Sequence, residues 1–347
     1  MAIDETYLAQ GPAEGDTGHE EKKVDHSKPP SIWRRYGLQI GILGVGILIW
    51  SLFIISAPDV FLKGDIYKAF ASTTPLFLIM ALALTLVVIT GEIDLSFPAI
   101  MALSMVGFTF IFEHGGDISL AFMATLGIGA LAGLVNGTLV ARLAIPSLVI
   151  TIGTSFLFRG IELAAMSGRG VPLTDPALDP MKAVFVGRVF GGIPMQVIWT
   201  LLLAILLWYI LNRTKFGAHV YLVGDNATSA RLMGVSVVRT KIGAFMIMGT
   251  TAAFAGMIAS FEVSYFWPTL GDGTLLTTIS SVFLGGTSVF GGTGSIFGTF
   301  IGGFIIGALN AGIVSAGINA FWTQAVFGFV IVVSVVMQTL IMRRVRR

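Results

Sequence analysis

The chain has 347 residues, of which 55 % are hydrophobic and 12 % charged, against about 25 % charged residues in soluble domains. Apolar runs of bilayer-spanning length recur along most of the sequence, which excludes a single soluble core and indicates an all-α polytopic membrane protein. A net charge of +2, with the basic residues at the ends of apolar runs, is no nucleic-acid footprint, and zero cysteines exclude disulfides and thiolate chemistry.

In chain order, residues 1–36 are polar, carry both charge signs and contain Pro29-Pro30; with no apolar signal core they read as a disordered cytosolic tail. Ten apolar segments follow, at about 37–57, 67–90, 95–113, 118–143, 147–167, 194–212, 240–261, 272–290, 295–315 and 320–342, so that a transmembrane domain would occupy 37–342. The third and eighth are interrupted by Gly or Pro or are polar at one end. With the N-terminus inside, fifteen Lys and Arg fall in the cytosol and five outside, with Arg159 within a span. Both termini are then cytosolic, including the basic end 343–347. The outside loop 168–193 is rich in Pro and Gly; the inside loop 213–241 is long and basic.

The stretch GLVNGTLV at 133–140 has a counterpart, GALNAGIV, at 307–314, displaced by 174 residues. In a ten-span chain the two copies cross in opposite directions, which predicts two inverted five-helix halves with a pathway at their interface. Asn136 and Asn310 are the polar members of these copies; they read as interhelical hydrogen-bonding groups or as pathway contacts. Gly129, Gly133 and Gly137, then Gly298 and Gly302, and Gly303 and Gly307, recur every fourth residue and predict close helix packing.

There is no G-x-x-x-x-G-K-[ST], no H-E-x-x-H and no G-x-S-x-G, so the chain is not expected to be an enzyme, and any ATP that drives it binds elsewhere. Glu92 and Asp94 follow a long aliphatic run, where facing lipid would cost roughly 2.5–3.5 kcal/mol per charge. Gly91 and Pro98 bracket them and predict a helix break, at which Asp94 or Ser96 accepts hydrogen bonds from the next span; Asp94 is expected to cap it and Glu92 to line the inner end of a pathway. Arg159 and Glu162 are spaced for an ion pair on one helix face, and Tyr265, Phe266 and Trp267 for an interfacial aromatic belt or a docking surface. Polar residues within spans that could line a pathway are Asn136, Thr151, Thr154, Ser281, Thr287, Asn310 and Gln324.

GEIDLS at 91–96, GLVNGTLVARLAIPSLVITIGT at 133–154, ARLMGV at 230–235 and LGGTSVFGGTGSIFGT at 284–299 resemble the membrane permeases of ribose/xylose/arabinose-type ABC importers. The resemblance runs from about 70 to 340 and is strongest in the glycine-rich stretch. It departs at Phe97-Pro98, where the family usually has Val-Gly, and at Thr293, where it often has a basic residue, which leaves the particular sugar open. The resemblance implies a homodimer in a bacterial inner membrane, a periplasmic sugar-binding protein and a cytosolic ATPase that holds ATP and Mg; this chain binds no cofactor or metal. It also implies that a short helix around Ala230, Arg231, Leu232 and Gly234 docks on the ATPase. Asn226 or Thr228 can cap that helix and Gly234 stop it. A proton-coupled carrier, or an ABC permease for a nucleoside or amino acid, is the alternative.

Overall fold

The computed structural model describes residues 43–44, 46–48, 50–55, 57–315, 319 and 321–345; the expected tail 1–36, the start of the first span and the last two arginines lie outside them. Long apolar helices form α1 (Gly64–Ile89), α3 (Ile118–Leu143), α4 (Ser147–Met166), α6 (Met195–Arg213), α9 (Val237–Glu262), α11 (Ile296–Ser315) and α12 (Phe321–Val345). These seven are long and apolar enough to cross a bilayer. Shorter apolar helices lie at Gly46–Ile55, α2 (Phe97–Glu113) and α10 (Thr274–Leu284). Short elements in the connections are α5 (Asp179–Val186), α7 (Lys215–Asp225) and α8 (Ala227–Leu232).

The helix at α1 is apolar all round (LFLIMALALTLVVI), and such a helix needs other helices or lipid on every side. It is 89 % buried over its most apolar window, whereas the corresponding window of α12 is 6 % buried and faces outward. The eighth apolar segment is helical only to Leu284, because Gly286, Gly291 and Gly292 take positive φ and turn the following residues into a loop.

Shifting α1, α2, α3 and α4 by 174 residues, the spacing between Asn136 and Asn310, superposes them in sequence on α9, α10, α11 and α12 to within a few residues at each start. The packing repeats under the same exchange. Helix α3 lies on α9 as α11 lies on α1, α2 contacts α3 and α4 as α10 contacts α11 and α12, and α2 meets α9 as α10 meets α1. The two central helices, α1 and α9, also pack on each other. Two structural halves thus stand behind the short sequence repeat.

The 168–193 loop is more ordered than its composition predicts. It holds α5, and its strand β1 (Val171–Pro172) pairs antiparallel with β4 (Tyr265–Phe266). A hairpin of β2 (Arg188–Val189) and β3 (Ile193–Pro194) leads into α6. This pairing corrects the expected aromatic belt: Phe266 is fully buried against β1 while Tyr265 stays exposed, because alternate residues of a strand face opposite ways.

Candidate functional site: a helix break joined to a short surface helix

Helix α1 ends at Ile89, α2 begins at Phe97, and the intervening residues form the expected break. Gly91 takes φ +83° and turns the chain. Asp94 is fully buried, and its Oδ1 accepts from the Ser96 amide at 2.8 Å and the Ser96 hydroxyl at 2.6 Å. It therefore shapes the turn before α2 rather than capping a first-turn amide, since Pro98 has no N–H to offer there. Asn136, on α3, donates from Nδ2 to Ser96 Oγ at 2.6 Å. Asp94 Oδ2 and Asn136 Oδ1 have no protein partner in this buried cluster, and an unsatisfied buried oxygen marks a place for an ordered water or a function. From α4, Ser147 Oγ accepts from the Ile93 amide at 3.1 Å and Thr151 donates to Ile93 O at 3.4 Å.

Glu92 forms an ion pair with Lys241, at the start of α9, with side chains 14 % and 17 % exposed. The pair ties the break to the end of the basic loop. Spacing within one helix could not reveal this pair, because its members are 149 residues apart.

The glycine-rich loop after α10 closes over the break. Gly292 N–H donates to Ile89 O at 2.9 Å, a carbonyl that the end of α1 leaves free. Gln338 on α12 stitches the loop from the other side, accepting from the Val289 amide and donating to Phe283 O and Thr287 O. Helix α7 packs into the same junction: Tyr221 donates to Gly294 O at 2.9 Å. A Cβ on Gly224 would lie 1.7 Å from Ile89 O and 2.6 Å from Gly292 N, so only glycine lets three backbones meet here. Tyr221, Gly224 and Gln338 were not singled out from sequence, and Gly292 entered only within the glycine-rich stretch that carries the family resemblance.

Directly after α7, Asn226 accepts from the Ser229 amide at 2.9 Å and caps α8, while Gly234, at φ +82°, ends the turn that follows. Ala230 is buried with Val223, Val235 and Val237, which seats the short helix on α7 and α9. Arg231 is exposed, and so are Leu232 at 86 % and Met233 at 61 %. Leu232 at the end of the helix and Met233 just after it are thus large apolar side chains left uncovered beside a seated helix.

The remaining candidates divide. Gly129, Gly133 and Gly137 lie against the backbone of α9 at Gly249, Phe245 and Ile242. Gly298 and Gly302 lie against Gly285 and Ser281, Gly303 against Leu78, and Gly307 against Thr74 and Phe70. Thr287 is buried with a hydroxyl that lacks a partner, and Ser281 and Thr154 bond to carbonyls of their own helices. Asn310 and Gln324 lie on exposed faces, unlike Asn136. Arg159 approaches Glu162 at 3.7 Å, but its closer carboxylate is Asp272 at 2.6 Å, with the carbonyls of Pro268 and Leu270 as further acceptors.

Residues 66–335 match the family described as branched-chain amino acid transport system / permease component. The chain belongs to this permease family. It is 34 % identical over 299 residues to the fructose import permease protein of Rhizobium meliloti, covering 83 % of this chain and 82 % of that protein. It is 31 % identical over 319 residues to the autoinducer 2 import system permease protein of Salmonella typhi, covering 90 % and 94 %. It is 36 % identical over 259 residues to the ribose import permease protein of Bacillus subtilis, covering 75 % and 80 %. No solved structure matches. The chain is thus a multi-pass permease component of an ABC importer, and not an enzyme.

Proposed function

We propose that the chain is the membrane half of an ATP-driven importer that moves a monosaccharide or related polyol across a bacterial inner membrane by alternating access. The three relatives named for fructose, autoinducer 2 and ribose support the substrate class. In this reading the chain crosses the membrane ten times with both termini and the basic loop 213–241 in the cytosol, an orientation that the distribution of Lys and Arg supports. Two permeases work together, with a periplasmic sugar-binding protein above and an ATPase pair below that holds ATP and Mg.

The observation that carries this reading is mechanical continuity. The knob of Arg231 and Leu232 on α8, with Met233 just beyond, follows α7 closely, one residue separating the two helices; α7 meets the glycine-rich loop and the α1–α2 break at Gly224. Closure of a docked ATPase would push on α8, and the backbone contacts would carry the push to the break. The Glu92–Lys241 tether joins the break to the far end of the same loop.

The test is uptake of 14C-labelled D-ribose and D-fructose by cells that produce the permease with its ATPase and binding protein, together with co-purification of the ATPase. Leu232→Asp and Gly234→Val are expected to lose the ATPase and at least nine-tenths of uptake. Uptake that survives both changes and collapses with a protonophore while ATP stays high would overturn the importer reading.

A further inference from the structure

The connection from α6 to α7 carries two cations without a carboxylate. Arg213 ends α6 and Lys215 opens α7; both are exposed, and neither joins an ion pair among the described residues. Arg213 does not reach away into water. Its guanidinium carbon lies 5.7 Å from the centroid of the Trp208 ring, and a cation over an indole face is attracted to the ring. The charge is thus held against the membrane helix that precedes it.

Trp208 is also a wall of a cavity of about 220 Å³ between α6 and α11. Leu201, Ala204, Ile205 and Trp208 recur at the spacing of one helix face, and Phe297 and Phe300 in the first turn of α11 stand across from them. No charged or hydroxyl-bearing side chain lines it, so nothing there would fix a polar solute. Leu201, Ile205 and Phe297 are exposed, so the groove opens outward toward the bilayer and not into the core.

Length and charge fit one kind of occupant. At 1.5 Å per residue the α6 face runs about 10 Å from Leu201 to Trp208 and about 18 Å to Arg213, and one leaflet contributes about 15 Å of hydrocarbon. An apolar groove of that length under a cation is spaced as the tail and headgroup of a lipid are. Ile296, the first residue of α11, shares the groove with Trp208, so the positive end of that helix dipole adds to the field. Two other grooves, walled by Trp50 and Phe304 and by Trp199 and Phe254, are as apolar, but among the described residues no guanidinium lies on their aromatic walls.

We infer that this groove binds an anionic phospholipid of the leaflet that meets loop 213–241, with one acyl chain between α6 and α11 and the phosphate on Arg213 and Lys215. A zwitterionic lipid fits the apolar part equally, but its own ammonium offsets the attraction of the two basic residues. The lipid also bears on the three-backbone junction. Helix α11 begins where the glycine-rich loop ends, and α7, which starts at Lys215, holds that loop through the bond from Tyr221 to Gly294 O. A lipid that bridges α6 and α11 braces the elements on either side of it.

The experiment reads Trp208 fluorescence in the full-length permease reconstituted in phosphatidylcholine bilayers, as the difference between each protein and its Trp208→Phe counterpart. Phosphatidylglycerol or phosphatidylcholine with brominated tails is then added at increasing mole fraction. Half-quenching is expected at about tenfold lower mole fraction for the phosphatidylglycerol, two basic residues near an anionic headgroup being worth up to roughly fivefold each. Arg213→Gln with Lys215→Gln is expected to bring the two lipids within about twofold of each other, and Ala204→Phe, which fills the groove, to weaken quenching by both. In the wild type itself the preference should shrink at high salt. Equal half-quenching by the two lipids in the wild type, or a preference that survives the double substitution, would overturn the site. A Trp208 that neither lipid quenches would overturn it too, and separation of paired permeases by Ala204→Phe in light scattering would then name a second copy as the occupant. None of these readouts involves transport, so their failure is distinct from failure of the importer reading.

Discussion

Gly224→Ala should disconnect the surface helix from the break. The added methyl would start 1.7 Å from Ile89 O and 2.6 Å from Gly292 N, both backbone atoms with no rotamer to escape into. Even a close C···O contact needs about 3.3 Å, so α7 and the end of α1 must separate by roughly 1.6 Å. That displacement breaks the bond from Gly292 N–H to Ile89 O, now 2.9 Å, and strains that from Tyr221 to Gly294 O. Overpacking costs about 1–3 kcal/mol, and a buried donor left without its acceptor about 1–3 kcal/mol more. A total of roughly 3 kcal/mol follows, on a contact that the importing cycle depends on. Purified complexes should show lowered thermal stability and sugar uptake reduced at least tenfold, with ATP hydrolysis much less affected. The control is Gly127→Ala, an exposed position in α3 where the new Cβ meets nothing within 4 Å; it should be neutral or gain up to about 1 kcal/mol from helix propensity. If Gly224→Ala behaves like Gly127→Ala in melting and uptake, the three-backbone junction does not transmit the motion.

Asn226→Ala removes the cap of α8 and should cost about 1 kcal/mol of local helix stability; titrated pull-down of the ATPase should show about fivefold weaker association. Lys241→Met leaves Glu92 unpaired in a mostly buried position and should lower stability by about 2 kcal/mol; the exchange Glu92→Lys with Lys241→Glu should restore part of the loss of melting temperature and uptake, and no recovery would argue against the tether. Asn136→Leu should cost about 1–3 kcal/mol by stranding the Asp94–Ser96 pair, whereas Asn310→Leu, on an exposed face, should be tolerated; equal effects in thermal unfolding would contradict the asymmetry between the halves.

Helix positions, and the break before Pro98, were legible because apolar runs, glycine and proline act over a few residues of chain. Asn226 and Gly234 could likewise be named from sequence, since a cap and a stop need only their immediate neighbours. The repeat was visible in one eight-residue match, although its halves diverge in use: Asn136 is buried on Ser96, and its counterpart Asn310 is exposed. Glu92 was legible as a charge kept from lipid beside a helix break, but not as the partner of Lys241. The same holds for Arg159, whose nearest candidate in sequence, Glu162, lies farther from it than Asp272.

Composition and local sequence signals therefore indicated a helical membrane protein and where its helices break, and its motifs resembled those of sugar importer permeases. Tertiary structure alone decided which charges pair, which glycines touch another backbone, and that the starts of α2 and α10 meet. The physical reason is range. Hydropathy, capping and backbone strain are properties of neighbouring residues, whereas the pairs Glu92–Lys241 and Arg159–Asp272 and the crossing of Gly129 with Gly249 join segments more than a hundred residues apart and exist only once the helices have packed.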